Sequence, residues 1–430
     1  MTFAYFYPMG NLFERPRGTR DFDTISMQKR RFVEERMRKT FESFGYEEVL
    51  TPTLENLDLF TAKSGEGVIG EMYAFKDRGG RSLALRPEIT ASVVRFYVNE
   101  LQQKPRPLKL FYFGNCFRYD RPQKARYREF WQAGCELIGT DTPEAHAELI
   151  ALGMTLLKDA GLKQLDLRIG HLKILNRMIA QLGLSEAEKR PLLRLIDKQD
   201  LAGLKKECER AGISKAKIER FIEFLNCKEL KKIESFIKLD SGDKEDALDA
   251  KTELEKVLKY LEYFGIKDWK VDFKIARNLD YYTGLVFEID APKLGAEKQL
   301  CGGGVYGLAK LFGGKEVPQA GFAIGFDRTV LTLEAERYDF EAKRKTNYYV
   351  VPISEELVSH AISVGMRLRN KGEKVVIELS RRKPNRAFEH ANTLGARWVI
   401  IIGKKEVKKG VVSIKDMLTG EQKEVNQESM

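Results

Sequence analysis

Residues 108–139 read LKLFYFGNCFRYDRPQKARYREFWQAGCELIG, which is two β-patterned runs separated by a basic loop. Successive side chains of a strand point to opposite faces of its sheet, so alternate residues share a face. One predicted face collects alternate residues of both runs: Tyr112, Gly114, Cys116 and Arg118 from the first, and Phe130, Gln132, Gly134 and Glu136 from the second. Glycines within a strand often mark a close approach of a ligand to the backbone. The segment therefore predicts a β-hairpin that carries a polar ligand site.

The polar residues of the second run are spaced to hold a small ligand between them. Gln132 and Glu136 are separated by about 13 Å along a strand. Their side chains can therefore reach opposite ends of a small polar molecule. The alternative is a surface hairpin with a solvated polar face, and Trp131 and Cys116 in the same segment argue against it.

A second polar segment is LALRPEITASVVR, residues 83–95. Glu88 and Thr90 follow a predicted strand here, at a turn that Pro87 fixes. They can cap a helix or bind an amine, and a threonine that starts a helix needs no further purpose.

A third segment, ARNLDYYTGLVFE at residues 276–288, places Arg277 at a strand end close to Tyr281 and Tyr282. The ordinary interpretation is a surface ion pair between Arg277 and Asp280. The alternative is a site that combines a cation with two aromatic hydroxyls.

A fourth segment, GFAIGFDRTVLTLE at residues 321–334, reads as a strand between glycines that runs into a helix. Arg328 lies in the first turn of that helix, where the helix dipole favours anions over cations. We therefore expect Arg328 to hold an anionic ligand.

The composition limits the class of protein. The chain has 430 residues, which corresponds to roughly three domains. Its 43% hydrophobic and 32% charged residues exclude collagen, coiled-coil rods and wholly disordered chains. No apolar run approaches the ~18 residues of a membrane span. Five scattered cysteines without a CxxC pair, and four histidines, indicate a cytoplasmic protein without a disulfide scaffold or a metal centre of these residues.

The net charge of +11 is concentrated near the C terminus. Residues 343–430 contain 18 Lys and Arg against 10 Asp and Glu, a net charge of +8. A basic terminal domain is typical of nucleic-acid binding, and a merely solubilising surface is the alternative.

Periodicity divides the chain into zones. Residues 24–44 have helical spacing and meet Gly45, and residues 170–263 are almost purely helical, with a capping box at Ser185–Glu188. β-patterned segments precede and follow the helical zone, which indicates a helical domain inserted into a β-rich one. After the charged residues 341–345, a βαβαβ alternation predicts an α/β domain with a mostly parallel sheet.

Together these segments resemble the histidyl-tRNA synthetase family, a class II aminoacyl-tRNA synthetase family, over nearly the whole chain. The matching segments are RPRGTRDF (15–22), YEEVLTPTLE with Pro52 (46–55, motif 1), FRYDRPQKARYREFWQAGCE (117–136, motif 2) and GFAIGFDR (321–328, motif 3). LRPEIT and RNLDYYTGLVFE are similar to the segments that distinguish this family from other class II enzymes. The C-terminal zone is similar to the anticodon-binding domain of the glycyl, prolyl and threonyl enzymes.

The resemblance implies an α+β fold, in which an antiparallel β-sheet catalytic domain with a helical insertion precedes an α/β anticodon-binding domain. The expected domains are 1–169 and 264–340 for the catalytic domain, 170–263 for the insertion, and 346–430 for the anticodon-binding domain. It also implies a cytoplasmic homodimer that has no membrane segment and binds histidine tRNA.

The implied reaction joins histidine to histidine tRNA through a histidyl-adenylate, with ATP and Mg²⁺. The resemblance assigns Arg118 and Arg277 to the α-phosphate, and Arg126 and Arg328 to ATP as well. The resemblance also implies that Mg²⁺ bridges the β- and γ-phosphates, and it assigns no protein ligand to the ion. Positioned cations suit this chemistry because negative charge builds on the transferring phosphoryl group.

The resemblance also implies the contacts to histidine and to tRNA. The amino group of histidine is expected at Glu88, Thr90 and Gln132. Its imidazole nitrogens are expected at Glu136 and Tyr282, with Tyr281 beside them, and such a donor and acceptor pattern suits few other amino acids. The acceptor end of tRNA is expected at Arg121, Gln123 and Lys124 of the hairpin loop.

One segment departs from the family pattern. CGGGVYG, residues 301–307, has Val305 and Gly307 where the family normally has Arg and Asp. Apart from this departure, two other functions are kept as alternatives. One is a non-catalytic regulatory subunit of ATP phosphoribosyltransferase, and the other is a class II synthetase for a different amino acid.

Overall fold

The computed structural model describes residues 13–64, 66–123, 125–237, 243–276, 281–340 and 346–430. The chain divides into two compact units, the first ending at Asp339 and the second beginning at Phe340. Among the described helices, none combines the length and the apolar character that crossing a membrane requires.

The helices of the first unit are α1 (Thr24–Ser43), α2 (Asp58–Ser64), α3 (Thr90–Phe96), α4 (Pro143–Ala160), α5 (Leu172–Ala180), α6 (Glu186–Asp197), α7 (Leu201–Arg210), α8 (Lys215–Asn226), α9 (Ile233–Phe236), α10 (Asp243–Tyr263) and α11 (Phe326–Ala335). Its strands are β1 (Glu47–Glu48), β2 (Leu54–Asn56), β3 (Tyr73–Lys76), β4 (Ser82–Leu85), β5 (Leu108–Phe117), β6 (Glu129–Ile138), β7 (Asp166–His171), β8 (Lys270–Val271), β9 (Tyr282–Asp290), β10 (Gln299–Tyr306) and β11 (Gln319–Gly325).

An eight-stranded sheet forms the centre of the first unit, in the order β1-β5-β6-β11-β10-β9-β7-β8. Its inner pairs are antiparallel, and the outer pairs β1–β5 and β7–β8 are parallel. The antiparallel catalytic sheet expected from the sequence is confirmed. A separate three-stranded sheet has the order β2-β4-β3.

Helix α1 packs against this sheet through one apolar face. Asp23 caps its N terminus by accepting a 2.7 Å hydrogen bond from the amide of Ser26. Val33, Met37 and Phe41 recur every four residues and are fully buried, and the ring of Phe41 stacks on that of Phe111 with centroids 4.7 Å apart. Burying a side chain such as Phe41 contributes about 1.5–3 kcal/mol. The helix predicted at 24–44 therefore forms because its apolar spacing matches the sheet surface.

Helices α5 to α10 occupy the stretch between β7 and β8. The capping box predicted at the start of α6 is present, and the amide of Ser185 donates to Oε2 of Glu188 over 2.8 Å. The assignment of residues 170–263 as an inserted domain stays a prediction, as do the other domain boundaries.

The second unit contains β12 (Tyr348–Pro352), α12 (Val358–Asn370), β13 (Val375–Ile377), α13 (Pro384–Thr393), β14 (Trp398–Ile402), α14 (Lys404–Lys409), β15 (Val411–Asp416) and β16 (Gln422–Asn426). Its sheet has the order β13-β12-β14-β15-β16. The predicted βαβαβ alternation is present, but the sheet is mixed rather than mostly parallel, since β14–β15 and β15–β16 are antiparallel. The difference is a terminal hairpin, whose turn Gly420 makes with a φ of 80°.

Candidate active site

The centre of the site is the carboxyl group of Glu136, which β6 holds in a fully buried position. The hydroxyl of Tyr112 donates to its Oε1 over 3.2 Å, and the hydroxyl of Tyr306 donates to its Oε2. Oγ1 of Thr90 lies 3.4 Å from the hydroxyl of Tyr112. Burial raises the pKa of Glu136 to about 8, because the loss of water outweighs the hydrogen bonds from the surrounding hydroxyls. Burial therefore favours the protonated form of Glu136 in the free protein.

Glycines make room for this arrangement. A Cβ on Gly134 would lie 2.5 Å from the hydroxyl oxygen of Tyr112, and one on Gly321 would lie 2.0 Å from Oε2 of Glu136. A Cβ on Gly114 would lie 2.4 Å from Nη2 of Arg86. The expectation that the glycines of the hairpin leave room for a ligand is therefore wrong for Gly114 and Gly134. Side chains of the protein itself occupy that space.

Arg86 is a structural residue that the sequence interpretation missed. Its side chain is buried, and its guanidinium donates to the carbonyl oxygens of Thr51 and Asn115 over 2.9 Å each. It thus joins the motif 1 segment to β5. Its position immediately before Pro87 in LRPEIT was the available signal, but a sequence does not show which backbone oxygens will face a guanidinium.

Three predicted histidine-binding residues, Glu88, Thr90 and Gln132, lie at the start of α3 and on β6, the elements that carry Thr90 and Glu136. Thr90 begins α3, and Glu88 accepts a 3.0 Å hydrogen bond from the amide of Ala91. Glu88 thus accepts from a first-turn amide of α3, whose N-cap residue is Ile89, and amine binding by Glu88 and Thr90 stays a prediction. Burial raises the pKa of Glu88. Oε1 of Gln132 lies on β6 and accepts a 3.3 Å hydrogen bond from the thiol of Cys116, as the predicted common face requires.

Three tyrosines lie together, Tyr281 just before β9, Tyr282 at the start of β9 and Tyr306 at the end of β10. The ring centroids of Tyr281 and Tyr282 are 4.9 Å apart, and that of Tyr306 lies 5.6 and 6.2 Å from them. Tyr306 pairs with Tyr282 across the two strands. The sequence interpretation missed Tyr112 and Tyr306 as partners of Glu136. The position of Tyr112 on the predicted face was a usable signal, whereas the placement of Tyr306 depends on the order of distant strands.

The basic residues gather toward the turn of the hairpin. Nε of Arg118 donates to the carbonyl oxygen of Pro87 over 3.0 Å. Arg328 donates from Nε to the carbonyl oxygen of Ala125 over 3.2 Å and from Nη1 to that of Gln299 over 3.0 Å. Arg328 thereby joins the turn to β10.

Other predicted residues lie on the turn itself. Nε of Arg126 donates to Asp120 over 2.9 Å, and the backbones of Arg126 and Gln123 pair with each other. Arg121 and Gln123 are exposed. Arg277 and Lys124 lie outside the described residues. The turn immediately precedes Glu129, the first residue of β6, and Glu136 lies seven residues further along that strand. The turn residues and the buried carboxyl are therefore near opposite ends of β6.

Within the described part of the chain, no group of three or more His, Cys, Asp or Glu residues is arranged to hold a metal ion. The chemistry of the described site is that of arginines, hydroxyls and two carboxyl groups, those of Glu136 and Glu88. Such a set suits phosphate groups at one end and a small polar ligand at the other.

The first unit has a mainly antiparallel sheet with a basic hairpin and an arginine at a strand-to-helix junction, and the second unit is a basic α/β domain. Together these features define a class II aminoacyl-tRNA synthetase. Residues 18–329 match the family model of histidyl-tRNA synthetase, and residues 347–430 match that of the anticodon binding domain. The chain belongs to the histidyl-tRNA synthetase family.

Histidine–tRNA ligases from other organisms match this chain over nearly its full length. The chain is 46% identical over 423 residues to histidine–tRNA ligase of Archaeoglobus fulgidus, covering 97% of this chain and 98% of that one. It is 43% identical over 415 residues to histidine–tRNA ligase of Methanocaldococcus jannaschii, covering 96% and 97%. The crystal structure of apo histidyl-tRNA synthetase from S. aureus is similar with a TM-score of 0.71, at 29% identity and 97% and 98% coverage.

These comparisons select among the functions that the sequence left open. Histidyl-tRNA synthetases attach histidine to histidine tRNA at the expense of ATP, and this is the reaction that family membership assigns to the chain. Since the relatives match the catalytic and the anticodon units together, a regulatory subunit or a synthetase for another amino acid is not favoured.

Proposed function

We propose that this reaction takes place over the hairpin, with histidine bound at Glu136 and ATP bound toward the turn. The observation that carries the proposal is the buried carboxyl of Glu136, whose contacts in the described part of the chain are to hydroxyl groups. An imidazole is a small group that can accept a proton from a carboxylic acid and donate one to a carboxylate or a phenol. A pocket of buried polar groups rejects apolar ligands, because its own groups would lose their partners.

The remaining contacts to histidine follow from the same pocket. Tyr282, with Tyr281 beside it, faces the second imidazole nitrogen. Glu88, Thr90 and Gln132 hold the amino group, and the half-buried position of Glu88 and Gln132 at the border of the pocket supports that role. Glu88 then exchanges or shares its hydrogen bond with the start of α3.

The described cations near the turn, Arg118, Arg126 and Arg328, support activation of histidine there. A carboxylate oxygen of histidine attacks the α-phosphorus of ATP, the bond to the bridging oxygen breaks, and pyrophosphate leaves. Arg118 and Arg277 stabilise the charge on the α-phosphate, where it grows in the transition state. Arg126 and Arg328 hold the rest of ATP, which enters with Mg²⁺ as the magnesium complex.

Transfer then uses the turn and the second unit. A hydroxyl of the terminal adenosine attacks the acyl carbon and releases AMP, while Arg121, Gln123 and Lys124 contact the acceptor end. The unit at 346–430 binds the anticodon, and 170–263 forms an insertion within a catalytic domain made of 1–169 and 264–340.

We further propose that the chain acts as a cytoplasmic homodimer. Exposed apolar residues at and next to the three-stranded sheet support the dimer: Leu50 is 81% exposed, Leu54 47% and Phe75 45%. Apolar residues grouped in this way usually mark a protein interface. The family's motif 1 segment at 46–55 contains two of them.

Pyrophosphate exchange, run with each of the twenty amino acids in turn, tests the proposed function. We expect exchange that depends on histidine and is lost in Glu136→Ala. Faster exchange with another amino acid contradicts the assignment of the pocket, and no exchange with any amino acid supports the regulatory alternative. Sedimentation of the protein tests the dimer separately.

A further inference from the structure

The segment RPRGTRDF lies against the returning arm of the hairpin, and we call residues 15–22 the N-terminal strap. The carbonyl oxygen of Gly18 accepts a 2.9 Å hydrogen bond from the amide of Arg128. Gly18 has a φ of 86°, and a Cβ there would lie 2.8 Å from the side chain of Arg128. The guanidinium of Arg20 lies 3.4 Å from the ring centroid of Tyr127. The strap therefore contacts the hairpin at Tyr127 and Arg128, the two residues just before β6.

The strap meets motif 3 at Asp327, a buried residue in the first turn of α11. Its Oδ1 accepts a 2.5 Å hydrogen bond from Nη1 of Arg30 on α1, and Nη2 of Arg20 lies 2.8 Å from the same oxygen. The contact between Arg20 and Asp327 is an ion pair. Asp327 is thus neutralised by one arginine from the strap and one from α1.

The other oxygen of Asp327 completes the main sheet. The ladder between β6 and β11 ends at the pair Gln132–Gly325, because the chain enters α11 at Phe326. The next amide along β6 belongs to Trp131, and Oδ2 of Asp327 accepts its hydrogen bond over 2.7 Å. A side chain therefore replaces the backbone acceptor that a longer β11 would have supplied.

Arg30 is held on its faces as well as at its end. Its guanidinium lies 4.2 Å from the ring centroid of Phe22 and 4.8 Å from those of Trp131 and Phe326. Arg30 is 6% exposed and Asp327 4%. Cation–π contacts and a buried ion pair hold each other in one geometry where water is excluded.

These contacts converge on the neighbours of two proposed site residues. Asp327 precedes Arg328, whose guanidinium joins the hairpin turn to β10, and Trp131 precedes Gln132. We propose that Asp327, supported by Arg20 and Arg30, is a positioning residue that fixes Arg328 relative to the hairpin before ATP binds. The inference rests on the proposed function, in which Arg328 and the hairpin bind ATP.

The test compares Asp327→Asn with Glu334→Gln. The control residue, Glu334, also joins α1 to α11, through a 2.6 Å ion pair with Lys29, but it is part-exposed. Exchange rates are divided by the number of active sites, measured from the burst of adenylate. We expect Asp327→Asn to lower kcat/KM for ATP by about 10–100-fold, the usual effect of a small misplacement, with an unchanged dissociation constant for histidine. Glu334→Gln should match the wild type.

Arg30→Lys keeps the charge beside Asp327 but loses the planar guanidinium group. We therefore expect a smaller decrease in kcat/KM for ATP, again with an unchanged dissociation constant for histidine. If Asp327→Asn keeps the wild-type constants for ATP per active site and only melts earlier, the positioning role is wrong. If that variant does not fold, Arg30→Lys decides: a wild-type KM for ATP and kcat overturn the proposal. Failure of the proposed function looks different, since the wild type itself would then lack histidine-dependent exchange.

Discussion

The hydroxyl of Tyr112 donates to Oε1 of Glu136 from the neighbouring strand, above Gly134, with which Tyr112 pairs. Tyr306 donates to the other oxygen from β10, two strands away. A carboxyl group between two phenols, buried and with a pKa of about 8, can give a proton to a basic ligand and take it back. The proposed binding of an imidazole at Glu136 rests on this property.

We predict that Glu136→Gln weakens histidine binding and removes part of its pH dependence. Free imidazole is mostly neutral above about pH 6.5, and Glu136 keeps its proton up to about pH 8. Wild-type affinity should therefore be highest between these values. It should fall up to about tenfold per pH unit above pH 8, where binding must take up a proton from water.

Calorimetric titration with histidine from pH 6 to 9 measures this profile. The amino group of histidine also titrates in the alkaline range. The wild type and Glu136→Gln are therefore compared, because that titration affects both proteins equally. An identical profile in Glu136→Gln, merely displaced to weaker binding, shows that Glu136 does not share a proton with the ligand.

A substitution at Gly321 tests the same pocket sterically. A Cβ at this position would lie 2.0 Å from Oε2 of Glu136 and 2.5 Å from the carbonyl oxygen of Cys135, so Gly321→Ala must displace the carboxyl group. We expect a large loss of histidine binding. Gly307→Ala is the control, because no atom lies within 4 Å of its new Cβ. Equal histidine affinity in the two variants, measured by the same titration, contradicts the placement of Glu136.

The hairpin shows how far the sequence carries the site. Alternation along 108–139 predicts the strands, their faces and the common face of Cys116 and Gln132, because these depend on local geometry. It does not predict that Arg86 fills the space above Gly114, or that Tyr306 reaches Glu136. Both contacts join segments that are distant in the chain, and they depend on strand order and side-chain length.

Asp327 shows the same limit in motif 3. The sequence predicts a functional role for its neighbour Arg328, because a cation in the first helical turn opposes the helix dipole. An aspartate in that turn is favourable by the same rule and gives no signal. Its contact with the amide of Trp131 exists because β11 ends one pair too early, which only the register of the folded sheet reveals.

We predict that Arg277→Ala abolishes adenylate formation with little change in histidine or ATP binding. Arg277 lies outside the described residues, so this role comes from its position in RNLDYYTGLVFE. A partner of the α-phosphate acts most strongly in the transition state and should affect kcat rather than KM. Steady-state exchange kinetics measure the split, with the exposed helical residue in Arg210→Ala as control. Near-normal turnover with a large rise in KM is the opposing result.

A cluster away from the pocket predicts a pH dependence of stability. His146 on α4 is 1% exposed, and its ring nitrogens lie 3.2 Å from Asp141 and 3.2 Å from Glu253 of α10. Glu253 also lies 3.4 Å from His171. Although burial lowers it, the contacts with Asp141 and Glu253 raise the pKa of His146 to about 9.

Because its folded pKa exceeds the unfolded value near 6.5, the stability from His146 is fully present below pH 6.5 and is lost as pH rises through about 9. The stability difference between wild type and His146→Gln should therefore shrink by about 3 kcal/mol across that window. Scanning calorimetry at several pH values checks it, with His360→Gln, an exposed histidine on α12, as control. A pH-independent difference means that His146 is not charged in the folded protein.

The last prediction concerns the second unit. Removing residues 346–430 takes away a compact unit with 15 Lys and Arg against 10 Asp and Glu. Histidine-dependent exchange should remain largely intact, since every residue proposed for the adenylate site lies in the first unit. Transfer to tRNA should fall sharply, because anticodon contacts and positive charge are lost together. Each phosphate contact removed should flatten the log–log salt dependence of tRNA binding by about 0.7–0.9.

Sedimentation must accompany the assay, since a weakened dimer lowers exchange as well. A truncated dimer that charges histidine tRNA as fast as the full chain refutes the anticodon role, and the basic residues are then a solvated surface.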